Sequence, residues 1–132
     1  MKTDITNPEH WLRFASADLE AIQLLFDHRI SFEVCQSRLA ECLEKVIKAE
    51  LVRNRWRLKK EHDLQWLAKE MAVYSPELTE QIQDPVDELA DAYFTSRYPG
   101  YDLEEPDWER LQKQLQCVKS FFHEVRKNLG PN

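Results

Sequence analysis

The chain has 132 residues, 42% of them hydrophobic, and sets 24 acidic side chains against 18 basic ones for a formal net charge of -6. That length supports one ordinary domain, expected over residues 1–132 with its core at about 8–129, and the acidic balance opposes a protein that coats nucleic acid through a broad cationic surface. Two glycines, Gly100 and Gly130, are too few for a P-loop or a Rossmann turn, and Cys35, Cys42 and Cys117 show neither a paired framework nor zinc-knuckle spacing, so reduced thiols are expected. No apolar run approaches the ~20 residues that span a bilayer, and the N-terminus lacks a secretory apolar core; a cytoplasmic chain without membrane attachment is expected.

Scarce glycine with abundant Leu, Glu, Gln, Lys and Ala favours helix nearly everywhere, and the predicted fold is all-α, an antiparallel up-and-down bundle of about five helices. The first helix is predicted over 8–28, with Asn7 as N-cap, Pro8 at the first helical position and Glu9 in the positively polarised first turn. Trp11, Phe14, Ala15, Leu19, Ile22, Leu25 and Phe26 share its core face. Asp18 falls on the same face, where an unpaired carboxylate is costly, so it needs a cationic partner.

Ser31 is placed to cap a second helix over 32–57, whose apolar positions are Phe32, Cys35, Leu39, Cys42, Leu43, Val46 and Ile47. Glu41, Glu44, Lys45 and Lys48 lie on its other side, either as a solvated face with Glu44 and Lys48 as an i,i+4 pair, or as a rim that meets a nucleotide or a partner. Five of the eight residues from Arg53 to Lys60 are basic and surround Trp56. Such a cluster either contacts phosphates and bases or offsets a helix dipole while the indole packs on a neighbour.

A third helix is predicted over 62–74 with Leu64, Leu67, Ala68 and Met71 inward, and a fourth over 85–96, capped by Asp84 and carrying Val86, Leu89, Ala90, Tyr93 and Phe94. One further turn brings Arg97 to that apolar face and makes it the expected partner of Asp18, as a structural pair or as part of a polar pocket. Residues 75–84 and 97–105 read as loops, the second bent at Pro99 and Gly100 between Tyr98 and Tyr101. The last helix, over 105–129, carries Trp108, Leu111, Leu115, Val118, Phe122, Val125 and Leu129 as a regular seam. Phe121 falls outside it beside Cys117, as a dimer contact, a lone surface aromatic or the edge of a wider core stripe. His10, His28, His62 and His123 are scattered and predict no metal site, and Asp18 with Glu50 lacks the Glu-x-x-His motif of a di-iron bundle.

Glu44, Lys45, Lys48 and Ala49 on one helix, His62-Asp63-Leu64 opening the next, Trp11, Asp18 and Leu19 upstream and Arg97-Tyr98-Pro99 downstream form an ordered set. In that order and separation the chain resembles the HEPN family (higher eukaryotes and prokaryotes nucleotide-binding) from about residue 10 to residue 128. The resemblance implies a helical bundle, commonly a homodimer, that either cleaves RNA or acts as the non-catalytic partner of a minimal nucleotidyltransferase.

The cleaving branch has Arg and His separated by four to six residues near the start of a late helix. Arg97 takes the approximate place here, but no histidine follows it before His123. Arg57 and His62 have four residues between them and Arg55 and His62 six, at a different place in the chain.

The leading expectation is therefore a non-catalytic HEPN-type protein that dimerises, partners a nucleotidyltransferase in a toxin–antitoxin pair, and binds a nucleotide through Lys48, His62, Asp63, Arg97 and Tyr98, with no other cofactor. The competing expectation is a metal-independent endoribonuclease toxin in which Arg57 or Arg97 stabilises the phosphate and His62 moves protons. A third is a helical adaptor without a nucleotide role, in which Asp18 and Arg97 fix packing.

Overall fold

The computed structural model of the protein describes residues 1–103 and 105–131, so Glu104 of the predicted second loop and Asn132 at the end of the predicted domain lie outside the described residues. The described residues form seven helices and no strand: α1 (Pro8–Asp27), α2 (Phe32–Arg53), α3 (Leu64–Tyr74), α4 (Pro76–Gln81), α5 (Gln83–Leu89), α6 (Ala92–Thr95) and α7 (Trp108–Leu129). None is long and apolar enough to cross a membrane.

α1 starts as its sequence dictates, with the Asn7 side chain accepting the Glu9 N–H at 3.0 Å and Pro8 at the first helical position. It ends in a Schellman motif in which Arg29 takes the left-handed position at φ +54° and the N–H groups of Arg29 and Ile30 bond the carbonyls of Phe26 and Leu25. Ser31 follows at φ +55° in the N-cap position of α2, but its side chain makes no capping bond.

α2 is the central rod and packs on α1, α3, α5, α6 and α7. Side-chain pairs fix the direction of its neighbours. Near the start of α1 the Trp11 ring lies 5.5 Å from the Lys48 ammonium, and further on Asp18 lies 3.6 Å from Arg38, so α1 and α2 run antiparallel. Arg126 meets Glu9 and Lys119 meets Gln23, so α7 also runs against α1. The predicted antiparallel all-α bundle is the observed one, with more and shorter pieces in its second half.

Those pieces have local causes. The second helix stops at Arg53, four residues earlier than predicted, because Arg55 adopts φ +63° and the N–H groups of Arg55 and Trp56 close a second Schellman motif on Val52 and Leu51. α3 begins at Leu64 because the Asp63 carboxylate accepts the Trp66 N–H at 3.1 Å and so acts as N-cap. The predicted 75–84 loop contains α4, started by Pro76, and the predicted fourth helix is broken at Ala90–Asp91 into α5 and α6. The last helix starts at Trp108, where the Asp107 side chain caps the Arg110 N–H at 3.0 Å.

The core holds Leu12, Ala15, Ile22 and Phe26 from α1, nine residues of α2 from Cys35 to Leu51, and Leu111, Leu115, Val118, Phe121 and Val125 from α7. One expectation fails here, and one open alternative is decided. Phe14 lies about 100° from the middle of the buried α1 face and is 48% exposed, whereas Leu12, nearer that middle, is buried. Phe121 is fully buried, because the inward stripe of α7 is wide enough to take in Gln114 and Phe121 as well as the regular seam.

Candidate functional site

Four charged residues of α2, Glu41, Glu44, Lys45 and Lys48, recur at intervals of three, one and three and therefore occupy one helix face. That face is not solvated. Glu44 is 8% exposed and Lys48 4%, because α1 leans over one side and the segment entering α3 over the other. The predicted pair forms, with the Lys48 ammonium donating to Glu44 at 2.8 Å, but it forms inside the bundle.

His62 sits on the far side of Glu44. Its Nδ1 lies 3.0 and 3.1 Å from the two carboxylate oxygens. An ionised carboxylate can only accept, so Nδ1 carries the proton and Nε2 is left without a protein partner among the described residues. The imidazole stacks on Tyr93, with ring centroids 5.2 Å apart and planes 12° from parallel, while the Arg97 guanidinium carbon lies 4.5 Å from the same Tyr93 ring and 5.9 Å from that of Tyr98.

A second branch runs from Arg97 back toward α1. Arg97 donates to Glu41, Glu41 lies 3.8 Å from Arg38, Arg38 lies 3.6 Å from Asp18, and Asp18 accepts from Lys45 at 2.6 Å. Asp18 does have the cationic partner its burial demands. That partner is Lys45, helped by Arg38, and the expected direct Asp18–Arg97 pair is corrected by this geometry. Arg97 projects from beyond α6 and meets Glu41 first, one helical turn before Lys45.

Lys48, His62, Arg97 and Tyr98 of the predicted site are thus joined through Glu44 and Tyr93. Asp63 is not: its carboxylate is turned to the α3 backbone as the N-cap. Arg57 is exposed in the segment before α3 and makes no ion pair among the described residues. Sequence reasoning missed Tyr93, which it assigned to the core, together with Glu41 and Glu44 as the groups that hold Arg97 and His62. Ala40 and Ala49, buried beside the charges of α2, were the available sign that this helix is covered on more than its apolar side.

A cleft of about 260 Å³ opens beside Arg97, Tyr98, Pro99 and Tyr101. Larger clefts of about 540 and 750 Å³ lie along α1 and α7 and hold none of the predicted site residues, so volume is a poor guide to the chemistry here. Among the described residues, no group of three or more His, Cys, Asp or Glu is placed to hold a metal ion.

No curated protein and no solved structure matches the chain. A family model for the HEPN domain does match, over residues 8–128 and so from the first turn of α1 almost to the end of α7. The helices, the covered charged face of α2 and this match agree, and the chain belongs to the HEPN domain family.

Proposed function

We propose that the chain is a non-catalytic HEPN protein that recognises a nucleotide or the end of an RNA strand along the charged face of α2, acts as a homodimer, and partners a separate minimal nucleotidyltransferase in a toxin–antitoxin pair. Membership of the family supports a nucleotide- or RNA-related function. The observation that carries the site is the unbroken run of contacts from Lys48 through Glu44, His62 and Tyr93 to Arg97, which sets cations and stacked planar groups in one line whose Arg97–Tyr98 end borders the cleft of about 260 Å³. The Arg97 guanidinium presents donors to phosphate oxygens, Nε2 of His62 presents an acceptor to a sugar or base donor, and Tyr98 offers a ring face to a base.

Four permanent cations in the network, Arg38, Lys45, Lys48 and Arg97, face three carboxylates, Asp18, Glu41 and Glu44. One positive charge is therefore in excess before His62 is counted, which suits an anion of low charge. Arg97→Ala and His62→Ala are each expected to weaken nucleotide binding by about tenfold or more, as loss of a charge-assisted hydrogen bond of ~1.5–3 kcal/mol implies. Titration calorimetry with nucleotides, together with pull-down of the nucleotidyltransferase, measures this; unchanged affinity and unchanged association in both variants would overturn the assignment. Light scattering of the intact protein tests the dimer.

The hydrogen bond from His62 to Glu44 also favours a second reading, a metal-independent endoribonuclease. A carboxylate that fixes the imidazole tautomer leaves Nε2 able to take a proton from an RNA 2′-hydroxyl, and Arg97 is near enough to the same ring to meet a phosphate. RNA incubated with the protein in EDTA separates the two: cleavage that His62→Ala abolishes selects the enzyme, and intact RNA over a wide protein range selects recognition.

A further inference from the structure

The sequence concentrates cations between Arg53 and Lys60, yet the groove just described uses none of them. Arg53 is consumed by Glu50, which accepts its Nε and Nη2 at 2.7 and 2.8 Å. The other four, Arg55, Arg57, Lys59 and Lys60, lie past the end of α2, with only Arg55 close enough to face its negative dipole end.

From residue 56 to residue 63 the chain is neither helix nor strand, and exposure alternates along it: Arg55, Arg57 and Lys59 are exposed while Trp56 and Leu58 are half-buried. The alternation turns Arg55, Arg57 and Lys59 to solvent on either side of the half-buried Trp56 and Leu58, so three cations are exposed within five residues. Lys60 continues the exposed run, two residues before His62.

The neighbouring carboxylates Glu61 and Asp63 are turned to backbone donors and make no ion pair with this row. Glu61 accepts the backbone N–H groups of His62 and Asp63 at 2.9 and 3.0 Å, and Asp63 caps α3. None of Arg55, Arg57, Lys59 and Lys60 makes an ion pair among the described residues. On the other side of the segment, Trp56 packs near Trp66 with centroids 6.3 Å apart, and the Lys59 ammonium lies 5.3 Å from the Trp66 ring. A positive row with no ion pair among the described residues, on a chain of net charge -6, is a local field that opposes the global one.

We infer that residues 55–60 form a track for the sugar–phosphate backbone of a single-stranded polynucleotide, delivering one end of that strand to His62 in the groove. Successive exposed cations on one short segment match the repeating charge of a strand, and they do so without reading base identity. The half-buried indoles of Trp56 and Trp66 form the floor behind the track. This deepens the groove reading and rests on it for where the strand ends, but it makes a separate demand: affinity must rise with strand length.

The test uses the full chain and two probes, a fluorescent oligouridylate of roughly twelve nucleotides and uridine monophosphate. Arg55→Gln, Arg57→Gln and Lys60→Gln combined remove three exposed charges that hold nothing in the fold, so the melting curve is expected to stay unchanged. The triple variant should bind the oligonucleotide about tenfold or more weakly, and the slope of log affinity against log salt should fall in magnitude by about 2, near 0.7 for each lost phosphate contact. Mononucleotide binding should not move.

His62→Ala should act in the opposite sense, losing the mononucleotide while keeping the salt slope, so failure of the groove and failure of the track are distinguishable. Oligonucleotide affinity and salt slope that survive in the triple variant would overturn the track. So would a wild-type protein that ignores the oligonucleotide and binds polyglutamate, which would make the row a docking site for an acidic protein.

Discussion

Glu50 has no exposed surface and holds more partners than any carboxylate in the groove: both guanidinium donors of Arg53, the Ser75 hydroxyl at 2.6 Å, and a side-chain hydrogen bond with Asn128. It therefore ties the end of α2 to the α3–α4 junction and to the end of α7. Burial pushes its carboxyl up, and the hydrogen bonds from Arg53 and Ser75 with the Arg53 charge outweigh that, leaving it below the ordinary value of 4.5. A folded value below the unfolded one means stabilisation that is fully present above about pH 4.5 and is lost as pH falls through the folded value. Glu50→Gln should lower unfolding free energy at pH 7 by about 1–3 kcal/mol, and the gap from wild type should close as the solution is acidified below pH 4.5. Urea titrations across that range measure it; a gap independent of pH would show that the carboxylate charge contributes nothing.

The same scale separates buried from reactive groups. Burial drives the Cys42 thiol far above its ordinary value, with Asp18 adding to the effect, and this sulfur donates to a carbonyl in the α1–α2 contact. It is a small core residue.

Between helices, what decides packing is the width of each inward stripe. α7 buries Gln114 and Phe121 on one flank of its seam, and the Gln114 amide donates to Glu88 at 3.0 Å beside the Arg110–Glu88 pair. Phe121→Ala should cost about 3–5 kcal/mol, the usual range for emptying an enclosed aromatic site, whereas Phe14→Ala on the exposed side of α1 should stay within ~0.5 kcal/mol. Thermal or urea unfolding of the two variants compares them directly, and a neutral Phe121→Ala would contradict this placement. The break between α5 and α6 carries a cost of the same kind: it turns Tyr93 onto His62 and leaves Phe94 53% exposed. The proposed site reaches into the part of the chain where packing is least complete.

For the molecule as a whole, α2 is enclosed by five helices while residues 90–103 carry one four-residue helix and long exposed turns. Amide exchange should follow this gradient. The middle of α2 is expected to exchange only on global unfolding, and residues 96–103, with Arg97 and Tyr98 among them, through local opening of far lower free energy. Hydrogen exchange by mass spectrometry reads both segments in one experiment. Nucleotide should slow exchange at 96–103 and leave α2 unchanged, because a ligand protects only what it orders.

Caps, helical periodicity and the absence of phosphate loops are local properties, so the sequence by itself determined an all-helical antiparallel bundle, the starts of α1 and α3 to within two residues, the Glu44–Lys48 pair and the need of Asp18 for a cation. Three things depended on which helix leans over which: that the charged face of α2 is enclosed, that Asp18 meets Lys45 while Arg97 meets Glu41, and that Tyr93 joins His62 to Arg97. Angular position on a helix tells which residues share a side. It cannot tell what lies opposite, because that is set by crossing geometry and by the turns at two left-handed arginines, Arg29 and Arg55, a conformation that a non-glycine residue adopts at a cost and that its sequence does not announce.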